Sequence, residues 1–186
     1  IQINGTDISD MTQYNLRELM GFVPQKAVLF SGTIRDNMQY GKPDATDEMI
    51  WKALEIAQAK DFVSEMEDGL DSHVEQGGGN FSGGQRQRLA IARALVKTAD
   101  IYVFDDSFSA LDFKTDANLR QALKTNMKES ITVLVAQRVS TVMDADMILV
   151  LDEGKLVGKG THEELLATNE TYQEIVHSQL REEDLA

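Results

Sequence analysis

One short segment of the chain has the composition of a phosphate-binding turn. Phe81-Ser82-Gly83-Gly84-Gln85 leads directly into a helical pattern, and its two glycines would let backbone amides approach an anion closely. Ser82 is placed to cap the helix, and the free N–H groups of the first turn, together with the helix dipole, would hold a phosphate. A plain capped helix after a glycine-rich turn is the alternative, and these residues alone leave both open.

A second segment carries two adjacent carboxylates. The apolar run Ile101–Asp105 predicts a buried strand, and Asp106 follows directly after it. The pattern resembles that of P-loop NTPases, in which the aspartate at the end of such a strand reaches magnesium and the next acidic residue can polarise an attacking water; these would be Asp105 and Asp106. An ordinary turn after a strand would show the same two residues, so this pattern also leaves an alternative.

The elements that must position these residues alternate between strands and helices. This alternation predicts an α/β fold with a mainly parallel sheet and helices on both faces. A polar, helical stretch from about Ala45 to Val74 interrupts the alternation and predicts a helical insertion. We predict buried strands at Gly21–Val23, Ile101–Asp105, Ile131–Ala136 and Met147–Leu151, with Lys155–Lys159 as a hairpin partner of the last; the main helices are predicted at Asp47–Ala59, Gly84–Lys97, Thr115–Asn126 and His162–Leu166 continuing to Tyr172–Leu180.

The composition excludes several functional classes. The 186 residues suit a single domain, and 18 basic against 31 acidic residues give a net charge of −13, which disfavours nucleic acid as a partner. The absence of cysteine excludes disulfides and a thiol nucleophile and is compatible with a reducing compartment. No apolar run approaches the roughly 20 residues that a membrane-spanning helix needs, so we expect no membrane insertion by this segment.

Several motifs resemble those of one protein family. The run from Phe81 to Leu95 resembles the signature motif of ATP-binding cassette (ABC) ATPases nearly position for position, and Val23-Pro24-Gln25 resembles their Q-loop. Ser109-Ala110-Leu111-Asp112 is similar to the D-loop of the same family. The resemblance covers nearly the whole chain, and three further segments look like the exporter branch of ABC transporters: Leu29–Asn37, Val74–Gly78 and Gly158–Leu166.

The resemblance implies a fold, cofactors and partners. Residues 1–186 would form an ABC nucleotide-binding domain with a helical signature subdomain at about 45–96, and would bind ATP and Mg²⁺ at the cytoplasmic face of a membrane. The membrane-spanning domain is expected upstream in the same chain, with Met38 in a region that could face its coupling helix. The implied roles are magnesium contact by Gln25 and Asp105, catalysis by Asp106 and Gln137, binding of a partner's nucleotide by Ser82, Gly83, Gly84 and Gln85, and coupling of two sites by Ser109 and Asp112.

The sequence departs from the family pattern in three places. No segment reads G-x-x-x-x-G-K-[ST], so the phosphate-cradling P-loop is expected before Ile1. Asp106 occupies the position after the strand aspartate where the family usually has glutamate. Gln137 stands where the switch-loop histidine is expected, and an amide cannot carry a proton at physiological pH.

The last two departures together resemble the weakened half of heterodimeric ABC exporters. Such a chain would have a degenerate ATP site of its own and would lend an intact signature motif to the site of a non-identical partner. The resemblance therefore implies an export ATPase whose own site is impaired. Two alternatives stay open, a non-hydrolysing nucleotide-binding module that acts in regulation or dimerisation, and a soluble ABC ATPase of DNA repair or translation.

Overall fold

A three-stranded parallel sheet organises the first of two compact units of the chain. The computed structural model describes residues 1–183, with side chains up to Gln179. Unit 1 is Ile1–Val135, and unit 2 starts at Ala136. The sequence contains neither proline nor glycine near this boundary, and the division was therefore not predicted.

Short elements connect the sheet of unit 1 with its helices. Gln2–Ile3 pairs with Thr6–Asp7 as a small antiparallel hairpin. Gly32–Thr33 pairs with His73–Val74, which lies about 40 positions further along the chain. The strands of unit 1 are β1 (Gln2–Ile3), β2 (Thr6–Asp7), β3 (Met20–Val23), β4 (Gly32–Thr33), β5 (His73–Val74), β6 (Ile101–Asp105) and β7 (Ile131–Val135). The helices are α1 (Gln13–Glu18), α2 (Ile34–Gly41), α3 (Asp47–Ile56), α4 (Lys60–Ser64), α5 (Gly83–Leu95) and α6 (Phe113–Asn126).

The main sheet has the order β3-β6-β7, and all three strands are parallel. Apolar side chains alternate along β6, so that Tyr102 and Phe104 face inward with Val23 of β3. Helix α5 packs against β3, and its Leu89 and Ile91 belong to the same buried core. The mixed α/β class with a parallel sheet is therefore confirmed.

The opposite face of this sheet is open in the described residues. Phe22, Val133 and Val135 are 54%, 43% and 50% exposed, and Ile131 is also exposed. A buried strand at Ile131–Ala136 was predicted; the strand is present at Ile131–Val135, but its predicted burial is wrong for the described part of the chain. A continuous apolar run shows that a strand has two apolar faces, but it does not show what covers each face.

The predicted helical insertion is present between β4 and β5. Thr46 caps α3 by accepting the N–H of Met49, and Leu54 is fully buried. The helix ends at Ile56, three residues earlier than predicted, because Gln58 takes a left-handed backbone conformation with φ of 57°.

Unit 2 contains the predicted hairpin of β8 (Ile148–Asp152) and β9 (Lys155–Gly160). Glu153 and Gly154 both have positive φ, as a two-residue hairpin turn requires. The predicted continuous helix is two helices, α8 (His162–Thr168) and α9 (Glu170–Glu183), because extended Asn169 separates them and accepts the N–H of Tyr172. A short helix, α7 (Val139–Val142), precedes the hairpin. None of the helices in residues 1–183 is long and apolar enough to cross a bilayer.

Candidate functional site

The ends of β3 and β6 bring two predicted site residues together. Because Val23 pairs with Phe104 in a parallel register, the residues two positions further on, Gln25 and Asp106, lie at the same level. The Gln25 Nε2 atom donates to Asp106 Oδ2 at 3.1 Å, although the two residues are 81 positions apart in the sequence. Asp105 ends β6 beside them.

The backbone of Asp106 is fixed at both its polar groups. Its φ is 45°, a left-handed conformation that aspartate adopts more readily than most residues. Its N–H donates to Val135 O at 2.8 Å, and Ser109 Oγ donates to its carbonyl oxygen at 2.9 Å. The direction in which the Asp106 carboxylate leaves the turn is therefore set by the neighbouring strand and by the D-loop-like segment.

The candidate phosphate-binding turn forms a capping box at the start of α5. Ser82 Oγ accepts the N–H of Gln85 at 3.2 Å, and Gln85 Oε1 accepts the N–H of Ser82 at 2.9 Å. These two bonds leave the N–H groups of Gly83 and Gly84, which have no acceptor within the helix, at its open end. In this conformation Ser82 and the two glycines present polar hydrogens to an anion, whereas the Gln85 side chain orders the turn.

Two arginines of α5 that sequence reasoning did not assign bind backbone carbonyl groups around this helix. Arg86 Nη1 donates to Phe81 O at 2.6 Å, directly before Ser82. Arg88 Nη1 donates to Gln58 O at 2.6 Å, and its guanidinium lies 4.8 Å from the centroid of the Phe62 ring. Burial lowers the pKa of Arg88. Their position at i+4 and i+6 from Ser82 was visible in the sequence, but their acceptors are carbonyl groups, which leave no sequence signal.

The D-loop-like segment contacts the signature turn of the same chain. A methyl group placed on Gly84 would lie 3.3 Å from Ala110 O, so the absence of a side chain at this position permits the close approach. Asp112 caps α6 by accepting the Thr115 N–H at 2.9 Å, and this bond lowers the pKa of its carboxyl group. Ser109, Ala110 and Asp112 thus join the turn after β6 to the N-termini of α5 and α6.

Gln137 belongs to unit 2 and is described there by itself. Its carbonyl oxygen accepts Gln179 Nε2 at 2.6 Å, and Gln179 Oε1 accepts the N–H of Val139 at 2.8 Å. One amide side chain on α9 therefore fixes the backbone on both sides of Arg138. The Gln137 side chain is exposed.

The donor set at the strand ends fits a magnesium ion bound to a phosphate. Mg²⁺ prefers oxygen ligands and is usually held by one or two carboxylates together with phosphate oxygens and water. Asp105 would supply a carboxylate and the Gln25 amide a further oxygen, with the Asp106 carboxylate beside them. Within the described residues, no group of three or more histidine, cysteine, aspartate or glutamate side chains is placed to hold a metal ion by itself.

The family model described as ABC transporter matches residues 1–109, more than half of the chain. The chain belongs to the ABC transporter family. The match includes the Q-loop, the signature motif, both strand carboxylates and Ser109. The family assignment made from the motifs is thereby confirmed.

Curated relatives resemble this ABC domain over nearly its whole length. The chain is 48% identical over 182 residues to an uncharacterized ABC transporter ATP-binding protein of Mycobacterium tuberculosis. This match covers 96% of this chain and 31% of the relative. It is 41% identical to a multidrug resistance ABC transporter ATP-binding and permease protein of Lactococcus lactis subsp. lactis, over 97% of this chain and 31% of the relative. The chain thus spans about a third of the length of these curated relatives.

The fold is that of the nucleotide-binding domain of a solved exporter. A structure of a bacterial Atm1-family ABC exporter with ATP bound matches this chain with a TM-score of 0.93 at 39% sequence identity. The match covers 96% of this chain and 32% of that chain. The predicted ABC ATPase fold is therefore confirmed over nearly all of the chain.

Proposed function

We propose that this ABC domain binds MgATP and drives export through an attached membrane domain. The observation that carries the proposal is the 3.1 Å contact between Gln25 and Asp106 at the carboxyl ends of two parallel strands, beside Asp105. These are the groups that magnesium and an attacking water need in phosphoryl transfer. The exporter named by the solved structure and the multidrug transporter named among the relatives support export as the process.

Each side chain at the strand ends has a defined task in this proposal. Asp105 would hold magnesium through a water molecule, and Gln25 would contact the ion and sense the γ-phosphate. Asp106 would orient the attacking water and accept its proton. When bound, MgATP supplies the phosphoryl group that passes to this water. The 186 residues contain no P-loop lysine, so we assign none of them to the cradle of the β- and γ-phosphates.

We propose further that this site hydrolyses ATP poorly. The carboxylate of Asp106 is shorter than that of glutamate by one carbon–carbon bond, about 1.5 Å. A general base displaced by this distance loses much of the 10²–10⁴-fold that general-base catalysis typically contributes. Gln137 can donate a neutral hydrogen bond to a phosphate, but it cannot carry a proton. The cis site would therefore bind ATP and turn it over slowly.

The signature turn would serve a different site. In the proposed head-to-tail pair, Ser82, Gly83 and Gly84 of this chain close over ATP that is bound to a non-identical partner. The intact capping box and the two N–H groups at the open end of α5 support this role. The chain would then control closure of the pair by binding ATP in its own site, and its signature turn would contribute to catalysis in the partner's site.

The first test compares the full-length protein with and without its companion subunit. We expect slow ATP hydrolysis by the full-length protein alone and at least tenfold faster hydrolysis per pair after the companion is added, since general-base catalysis is then available at one site. Steady-state ATPase assays in detergent or lipid discs measure this difference. Brisk turnover by the protein alone would contradict the degenerate-site assignment, and a companion with glutamate and histidine at the two altered positions would support it.

A non-hydrolysing regulatory module is the second candidate, and the two altered residues at 106 and 137 favour it. It predicts that the assembled pair binds ATP but shows no turnover above that of the separate chains. The same ATPase assay therefore separates the two candidates. An ABC ATPase of repair or translation is less well supported, because the relatives include a combined ATP-binding and permease protein.

The membrane domain needs a docking surface, and an exposed aromatic pair on unit 1 is suited to it. Phe30 and Tyr40 lie with ring centroids 4.4 Å apart and are 44% and 70% exposed. The guanidinium of Arg93 lies 5.1 Å from the Phe30 ring centroid, and its Nη1 atom is buried without a hydrogen-bond partner among the described residues. We propose that a helix of the membrane domain covers these rings.

Met38 does not belong to this surface. It was predicted to lie in a region facing the membrane domain, but its side chain is fully buried in the core of unit 1. Helix α2 exposes Tyr40 instead, two residues further along the chain. The helical period of α2 decides which of its side chains face outward, and the helix itself was not predicted.

Replacing Tyr40 by aspartate should detach this surface from the membrane domain. A carboxylate cannot remain buried among apolar side chains without a partner, so we expect hydrogen exchange of residues 28–42 in the full-length transporter to become about tenfold faster. Mass spectrometry of peptides from the exchanged protein measures this exchange rate. Tyr14→Asp is the matched control, because Tyr14 is 72% exposed and lies outside the proposed surface. Equal exchange rates at 28–42 in the two variants would contradict the proposed docking site.

A further inference from the structure

A buried serine hydroxyl fastens the turn after β6 to the end of β3. Ser107 has no exposed surface, and its Oγ atom lies 3.0 Å from Val23 O and 3.2 Å from Asp105 O. A hydroxyl has one proton to donate, and the Val23 carbonyl is the closer acceptor. Val23 is two residues before Gln25, and Ser107 directly follows Asp106. The bond therefore links the two backbone segments from which the Gln25 and Asp106 side chains project.

The same turn has little freedom elsewhere. The Asp106 N–H is bound to Val135 O, and its carbonyl oxygen accepts the Ser109 hydroxyl. With Ser107 bound to Val23 O, residues 105–107 are held against both neighbouring strands of the sheet. The left-handed conformation at Asp106, with φ of 45°, is maintained by these bonds.

The contact with Gln25 has a chemical consequence for the carboxylate. The Gln25 amide occupies one oxygen of the group that would otherwise face the attacking water. The contact thereby hinders general-base catalysis, and it requires that the two backbone segments stay in their present register.

We propose that Ser107 is a positioning residue that holds the carboxylate at position 106 against Gln25 and so suppresses hydrolysis in the cis site. This inference rests on the proposed function and extends it, because impairment then arises from three residues, Ser107, Asp106 and Gln137. A longer carboxylate alone does not remove the restraint. Glutamate at position 106 would still start from a turn that is fastened to β3 and would tolerate its left-handed backbone less well than aspartate does.

The experiment adds Ser107→Ala to a chain that already carries Asp106→Glu and Gln137→His. Turnover of the cis site is measured in the full-length heterodimer whose companion subunit has been inactivated at its own catalytic carboxylate. We expect the triple variant to show a kcat about tenfold above that of the double variant. KM for ATP should change by less than about twofold, because the substitution accelerates only a step that follows ATP binding.

The matched control is Ser130→Ala in the same double background. Ser130 Oγ donates to Ala99 O at 2.9 Å and also joins the segments that flank neighbouring strands, but at the opposite end of the sheet. A purely structural serine predicts similar effects of both substitutions on melting temperature and none on kcat. Ser107→Cys, which nearly keeps the side-chain volume and donates weakly, is the second variant and should raise kcat in the same direction by a smaller factor.

The outcomes separate this inference from the proposed function. If the double variant gains activity and Ser107→Ala or Ser107→Cys adds nothing, the positioning role of Ser107 is overturned while the degenerate-site proposal stands. If neither the double nor the triple variant exceeds the wild-type cis site, the degenerate-site part of the proposed function fails. If Ser130→Ala raises kcat as much as Ser107→Ala does, the effect is a general loosening of the sheet and the inference is wrong.

Discussion

Replacing Ser82 by arginine will remove most of the ATP turnover of the assembled transporter, even though we propose that the chain that carries the substitution hydrolyses little ATP itself. The serine hydroxyl closes the capping box with Gln85 and stands beside the N–H groups of Gly83 and Gly84. Arginine cannot accept the Gln85 N–H, and its long side chain would occupy the space of the γ-phosphate. Loss of one preorganised donor to a reacting group typically costs 10²–10³-fold in rate, and we expect a loss of about 10²-fold.

This result is measured as steady-state hydrolysis by the purified pair, with ATP binding to each subunit followed separately. Thr161→Arg is the matched control, because Thr161 forms the same kind of capping box, with Glu164, at the start of α8. Both variants lose a helix cap worth about 1 kcal/mol, so a difference between them reports the site and not the helix. Near-normal turnover by Ser82→Arg would refute the assignment of this motif to the partner's nucleotide.

Restoring the family residues at two positions will raise hydrolysis in the cis site. Asp106→Glu returns the carboxylate to its full reach, and Gln137→His returns a side chain that can accept and release a proton near neutral pH. We expect the two changes together to increase turnover of this site about tenfold or more, and each change alone to give less. We expect turnover of the double variant to stay below that of an intact site, and we propose that Ser107 causes this remaining difference in turnover.

Site-resolved measurement is essential here, because the partner's site would otherwise dominate the signal. Single-turnover hydrolysis of ATP trapped in the cis site, with the companion's catalytic carboxylate replaced, isolates the effect. Gln25→Ala in the double variant is an informative companion measurement, since it removes both the proposed magnesium contact and the bond to residue 106, and we expect it to lower turnover. An unchanged rate in the double variant would mean that these two side chains do not account for the weak site.

Local patterns predicted much of the secondary structure because they report short-range physics. The apolar, β-branched run of β6 was predicted with its observed bounds, Ile101–Asp105, and the hairpin after Asp152 followed from the Glu153-Gly154 turn. Helix α2 was missed, although Thr33 and Asp36 form a capping box that the sequence already displayed. Strands β4 and β5 were not predictable, since two-residue strands have no periodicity and gain their partners only in the folded chain.

The amino-acid sequence by itself determined the family and the parallel α/β class and supplied the candidates for the site residues, because these depend on residue types in fixed local spacing. Only the tertiary structure decided that Gln25 donates to Asp106, that the hydroxyl of Ser107 reaches Val23, and that Tyr40 and not Met38 faces outward. The reason is physical. Hydrogen bonds between residues 81 and 84 positions apart depend on strand register and on the packing of a whole sheet, and no local pattern of side chains encodes either quantity.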